Sequence, residues 1–194
     1  LAVAGAAMQT VLRNPLGAPY TLGISQAAAF GAALSIVVVG LGSAGSAVVG
    51  GFAPYMTTIA AFLAALVSTG IILALVVYRQ ATPETMILTG VAIGSLFTAA
   101  MTLIQYFASD TEVAAIVYWT FGDVGRAAWS QVALMAAVVL PAIAYFIHNG
   151  WAYDVLDAGS ITAKSLGVDV EALRIRGMAV ASFLTAVVIS VVGI

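Results

Sequence analysis

Four apolar runs, at about residues 21–41, 54–78, 83–107 and 131–148, carry no Asp, Glu, Lys or Arg apart from Glu84 at the start of the third. Each is long enough to cross a bilayer core of about 30 Å. Hydrocarbon supplies no hydrogen-bond partner, so such a run must satisfy its own backbone as α-helix. The predicted fold class is all-α, a polytopic transmembrane helix bundle. Composition agrees: 7% of residues are charged and mean hydropathy is +1.13, against roughly a quarter charged in a soluble domain. With no cysteine in the chain, disulfide, thiolate-metal and thiol-nucleophile chemistry are excluded. No basic run points to nucleic acid.

In chain order, residues 1–12 read as the end of a membrane helix that stops at Arg13. Asn14, Pro15, Gly17 and Pro19 then make a turn. The glycine-rich stretch 40–51 reads as a soft, uncharged loop. Thr82, Pro83 and Glu84 have the order of a helix start: cap, first-position proline, acid on the positive dipole end. Residues 109–131 are mixed, with Asp110, Glu112, Asp123 and Arg126 marking water. The run 113–121 is too short to span and is expected in the interface, with Tyr118, Trp119 and Trp129 as an aromatic belt. A last apolar run begins at about residue 177. Both ends fall inside apolar runs, so the 194 residues are expected to be one transmembrane domain truncated at both ends.

Alternating turns place Arg13, Arg79, Lys164, Arg174 and Arg176 on one face and Arg126 on the other. Five cations against one predict that the first set is cytoplasmic.

The stretch 151–176 is the one long water-compatible segment, with four of the eight carboxylates and three of the six Lys/Arg residues. Asp154 and Asp157 lead into Gly159, Ser160 and Thr162, which offer a helix start; Lys164 sits near its end, and Gly167 can act as a left-handed stop. Asp169 can cap a second short helix, with Glu171 in its first turn and Arg174 and Arg176 beyond. Apolar Ile161, Leu166, Val168 and Leu173 lie between these charges. Helix, glycine hinge, helix is the pattern of a docking surface, a handle on a machine in the bilayer.

Polar groups within the spans are uncharged, among them Ser25, Gln26, Ser68, Thr69 and Gln105. Ion-driven carriers place ionisable groups at mid-membrane, so energy for transport is expected to enter from outside the bilayer, through the handle. Gly90 and Gly94 form a GxxxG that reads first as close helix packing within one subunit. With Ser95, Thr98 and Thr102 at helical spacing, the same helix also offers a smooth, weakly polar wall to a translocation pathway. His148, the one histidine, has no sequence neighbours suited to a metal site and reads as an interfacial polar residue. No nucleophile elbow, zinc-protease, P-loop or paired-carboxylate pattern is present, so catalysis, cofactor and metal are not expected. The rivals are an ion-coupled secondary transporter or channel, and a structural subunit that moves nothing.

Several stretches together resemble the permease subunits of binding-protein-dependent ABC importers for iron–siderophore complexes, haem and cobalamin. They are Arg13-Asn14-Pro15-Leu16-Gly17-Ala18-Pro19, Leu22-Gly23-Ile24-Ser25, Leu88-Thr89-Gly90-Val91-Ala92, the trio Trp119, Gly122 and Trp129, and Ala163-Lys164-Ser165-Leu166-Gly167-Val168. The resemblance implies a ten-helix, multi-pass subunit of the inner cell membrane that works as a homodimer. This chain would run from the end of the second helix through the seventh. ABC ATPase subunits would dock on the cytoplasmic loop at about 157–173, engaging Asp157, Gly159, Ile161, Lys164, Leu166, Gly167, Val168 and Glu171. A periplasmic or lipid-anchored substrate-binding protein would dock on the opposite face, where Arg126 is the available cation. The helix at 86–107 would line the pathway at the dimer axis.

Overall fold

The computed structural model describes residues 1–39, 53–79 and 82–194, and among these it is helical, without strands. The helices are α1 (Ala2–Leu12), α2 (Ile24–Val39), α3 (Ala53–Arg79), α4 (Pro83–Phe107), α5 (Asp110–Thr120), α6 (Trp129–His148), α7 (Gly150–Asp157), α8 (Ser160–Ser165) and α9 (Val170–Val192). The expected loop at 40–51 lies outside the described residues, as does the end of the expected 21–41 run.

Four of these helices are long and apolar enough to cross a membrane: α3, α4, α6 and α9. At 25 residues, α4 is about 38 Å long at 1.5 Å per residue, enough for a bilayer core of about 30 Å with some tilt. The innermost of them is α9, with 61% of its most apolar window buried, against 11% for α4 and for α6. It packs on α1, α3 and α6, while α2 packs on α3, α4 and α5. Chain direction therefore alternates. The ends of α1, α3 and α6 and the starts of α2, α4 and α9 gather at one end of the bundle with α7 and α8; α5 lies at the other.

Between apolar helices in lipid the hydrophobic effect contributes little, so contact depends on close approach of small residues. Ala28, Ala29, Ala32 and Ala33 of α2 are buried, and a Cβ on Gly31 would collide with the Ala60 carbonyl and the Ala64 side chain of α3. The entry to α2 crosses α4 just as tightly. Gly23 has a left-handed φ of +70° that favours glycine, and a Cβ there would lie 2.9 Å from both the Gly90 carbonyl oxygen and the Gly94 nitrogen. A Cβ on Gly90 would collide with the Thr21 carbonyl oxygen and Leu22 Cα. The sequence stretches around Gly23 and Gly90 are thus two sides of one contact. Buried Ser68 of α3 locks it by donating to the Leu22 carbonyl at 3.2 Å.

Helix ends follow the sequence signals. Arg13 closes α1 with φ of +49°, and the Asn14 carboxamide oxygen accepts from the Leu16 N–H at 2.9 Å to shape the turn. Thr82 Oγ1 accepts from the Thr85 N–H at 3.4 Å at the start of α4. The structure departs from expectation in three places. Asp169 caps not a short helix but α9, which runs unbroken from Val170 to Val192, so the charged turns with Glu171, Arg174 and Arg176 continue directly into the span. An added helix, α7, opens the handle; its Tyr153 and Leu156 face the core, giving a stretch that looks merely polar a buried stripe. Trp119, expected in an aromatic belt, is 6% exposed and packs inward, whereas Tyr118 and Trp129 are exposed.

Two outcomes are expected of thermal unfolding in detergent. Gly90→Ala should destabilise by about 1–3 kcal/mol, because backbone must move to admit the methyl group, while Gly70→Ala, with open space around it, should not lower the midpoint. Asp169→Ala removes the acceptor for the Ala172 N–H and should cost about 1 kcal/mol, with faster amide exchange confined to the first turn of α9.

Candidate functional site

One open groove of about 510 Å³ runs along α4 and contains all five residues predicted to line a pathway: Gly90, Gly94, Ser95, Thr98 and Thr102. The two glycines form its floor, where α4 meets the entry to α2. Ser95, Thr98 and Thr102 stand on the exposed side of the same helix. Thr98 and Thr102 donate their hydroxyl protons back to the carbonyls of Gly94 (2.9 Å) and Thr98 (3.0 Å). Their hydroxyl oxygens therefore offer a wall of weak acceptors. Tyr20, Thr21 and Gln26 complete the lining. None of these three was singled out for the pathway from sequence, because the turn that brings Tyr20 and Thr21 against α4 is a tertiary contact. Gln26 is half-buried, and its Oε1 is shielded without a hydrogen-bond partner among the described residues.

A larger space of about 710 Å³ lies between α3, α6 and α9, bounded by Leu66, Leu73, Val138, Pro141, Val180 and Phe183 among others. Its lining is almost wholly hydrocarbon, and the Thr69 hydroxyl there is already tied to the Ala65 carbonyl at 3.0 Å. Such a surface suits lipid chains or the side of another helix. The smaller groove, with its row of hydroxyls, suits passage of a partly polar solute.

At the end of the bundle where Arg13 lies, α7, α8 and the first turns of α9 build the handle. Gly159 (φ +128°) and Gly167 (φ +83°) bound α8 in left-handed conformations. The stop at Gly167 has the double hydrogen bond of a left-handed helix end: Val168 N–H to the Ala163 carbonyl (3.0 Å) and Gly167 N–H to that of Lys164 (3.1 Å). Buried Tyr153, Leu156, Ala163, Val170 and Leu173 fasten the handle to the bundle. The Tyr153 ring lies 5.8 Å from that of Phe146, and its hydroxyl sits over Gly177, where a Cβ would collide with it. Burial pushes the Tyr153 phenol above its ordinary value, so it stays neutral. At the rim, Thr10 Oγ1 of α1 donates to Asp157 Oδ2 at 3.3 Å.

Outward, the handle presents Ile161, 87% exposed, and Leu166, 55% exposed, with Asp157, Lys164 and Glu171 around them. Val168, expected to share that outward role, is half-buried and packs on the core instead. Arg126 lies at the opposite end in the turn Val124–Arg126, its side chain outside what is described. His148 is exposed at the end of α6, and no cluster of metal-ligating residues occurs among the described residues.

The profile of the FecCD transport family matches residues 1–194. MJ0087, an ABC transporter permease protein of Methanocaldococcus jannaschii, is 54% identical over 197 residues, covering 100% of this chain and 56% of that protein. The vitamin B12 import system permease BtuC of Vibrio vulnificus is 31% identical over 194 residues, covering 100% of this chain and 56% of BtuC. The chain thus spans about half the length of these relatives. A solved structure described as an inward-facing conformation of a metal-chelate type ABC transporter superposes with a TM-score of 0.83 at 24% identity, covering 100% of this chain and 59% of that one. That likeness shows the helical fold. The match over the full length, together with apolar spans and the two motif stretches that meet at Gly23 and Gly90, places this membrane chain in one family: it belongs to the FecCD transport family.

Proposed function

We propose that the chain is the greater part of the permease subunit of an ATP-driven importer that carries a metal chelate such as an iron–siderophore complex, haem or cobalamin across the inner cell membrane. The observation that carries this reading is the handle. A short helix between two left-handed glycines is fastened to the bundle by a buried stripe, yet holds Ile161 and Leu166 out in water. Exposed apolar residues on a rigid, charged-rim surface mark a protein docking site. In this reading the occupant is an ATPase subunit, and Asp157, Lys164 and Glu171 set its register.

The described spans have no ionisable residue in their central turns. An ion-coupled carrier or channel would have nothing to titrate there, so the work is assigned to the partner ATPase and the permease itself does no catalysis. The cytoplasmic side is the one with the handle, in keeping with the cation bias. The groove wall on α4 faces a second copy of the subunit across the pathway, which fits the small buried share of that helix. The substrate-binding protein approaches the opposite face, near Arg126. About half of the length of the relatives lies beyond this chain.

Leu166→Glu would place a charge in the centre of the ATPase contact. In proteoliposomes holding the intact complex, cargo uptake should fall by about tenfold or more, the scale of ~1.4 kcal/mol, while the ATPase still hydrolyses ATP. Leu166→Met, which keeps the side chain apolar and close to the same volume, is the control. Normal uptake by the Leu166→Glu complex would rule out the handle as the docking point.

A further inference from the structure

Two openings between α6 and α9 share Tyr145 as a common wall. The first is the apolar space of about 710 Å³ already described, with α3 as its third side. The second, of about 270 Å³, lies at the handle end and is bounded by Asn149, Trp151, Asp169 and Arg176 among others. Helical register places the two on one line. On α9, Arg176, Val180 and Phe183 follow at steps of four and three, and on α6 so do Val138, Pro141, Tyr145 and Asn149. Each series is a single stripe, so an apolar floor leads into a polar mouth.

The apolar part has the depth of one leaflet. On α6 it covers residues 137–145, in the half of that helix nearer the handle. Those residues rise about 12 Å at 1.5 Å each, against the roughly 15 Å that one leaflet contributes to a core of about 30 Å. A crossing helix packed here would leave a trough along the whole span. A lipid tail anchored at one surface leaves a half-length one.

The mouth has the chemistry of a headgroup site. The Asn149 Nδ2 is committed to the Tyr145 carbonyl at 2.8 Å, and the Thr69 hydroxyl deeper in the groove to that of Ala65 at 3.0 Å. Selection therefore falls to the two charges. Arg176, exposed on α9, offers a fixed cation whose donors match phosphate oxygens. Asp169, whose Oδ1 accepts from the Ala172 N–H at 3.1 Å, supplies the opposite sign. Exposed Trp151 stands beside them, at the level where indole rings concentrate in membrane proteins. A head bearing a phosphate and an ammonium meets both charges, whereas a second negative group would face Asp169.

We infer that this groove is a phospholipid site of the handle-side leaflet. One acyl chain lies between α3, α6 and α9, and a zwitterionic, amine-bearing head sits at Arg176 and Asp169. The inference requires only that the chain spans a membrane, and it is independent of what drives transport.

The test is native mass spectrometry of the full-length protein, delipidated in detergent and titrated with phosphatidylethanolamine or with phosphatidylglycerol of the same acyl chains. One phosphatidylethanolamine should be retained per chain, in preference to phosphatidylglycerol. Gly70→Leu, which sends a branched side chain into open space lining the groove, should abolish that adduct. Arg176→Gln should weaken it about fivefold, the scale of one basic residue at a membrane surface, and Arg176→Lys by less, because the charge remains. If Gly70→Leu fails to fold, the two Arg176 variants carry the test. Absence of a saturable adduct, the result expected if a further helix of the full-length protein fills the groove, would overturn the inference. So would an adduct that neither Gly70→Leu nor Arg176→Gln alters, or phosphatidylglycerol bound as tightly as phosphatidylethanolamine.

Discussion

Lipid hydrocarbon solvates neither a charge nor an open backbone, and nearly every feature of this chain is a response to that. The long spans close their own hydrogen bonds and hold their polar groups to hydroxyls and amides. Thr69, Thr98, Thr102 and Thr185 each turn their proton back to a carbonyl one turn earlier. The charged residues are displaced to helix ends, where Arg13, Glu84, Arg174 and Asp157 crowd into one layer with the handle. The chemistry available for regulation is therefore concentrated at one end of the bundle. The spans themselves act by shape.

Shape in this setting comes from small residues. Gly23, Gly31 and Gly90 let backbones approach where any side chain would collide. The contact between the entry of α2 and the middle of α4 joins two readings that looked like rivals. The glycines of α4 turn inward and pack, while Ser95, Thr98 and Thr102 on the other side of the same turns face the groove. A helix that lines a path must also be held close to its neighbours, and one stretch does both. The small buried share of α4 follows from the same arrangement.

Much of this was legible in the residues because the signals are local. Apolar run lengths define the spans, and the Thr82-Pro83-Glu84 start, the Gly167 stop and the Asp169 cap appear where their chemistry demands. What escaped was tertiary. Arg174 and Arg176 read as following a short helix separate from the last span, but a strong cap at Asp169 and good helix formers after it carry α9 straight through them. Tyr153 and Leu156 look like part of a polar connector until α7 is seen to press them onto α1 and α6. Trp119 has the composition of a belt residue and the position of a core one, since α5 lies against α2. Tyr20, Thr21 and Gln26 join the groove only because the chain folds back there. Each of these depends on what a helix packs against, which periodicity within one segment does not specify.

The central claim is that force reaches uncharged spans from a soluble engine at the inner-face handle. It is tested most directly by loading proteoliposomes containing the complete complex and measuring chelate uptake under two separate energy sources. With ATP supplied on the handle side and all ion gradients collapsed by ionophores, the account predicts full uptake. With an imposed proton or sodium gradient and no ATP, it predicts none. Uptake driven by the gradient alone would contradict it.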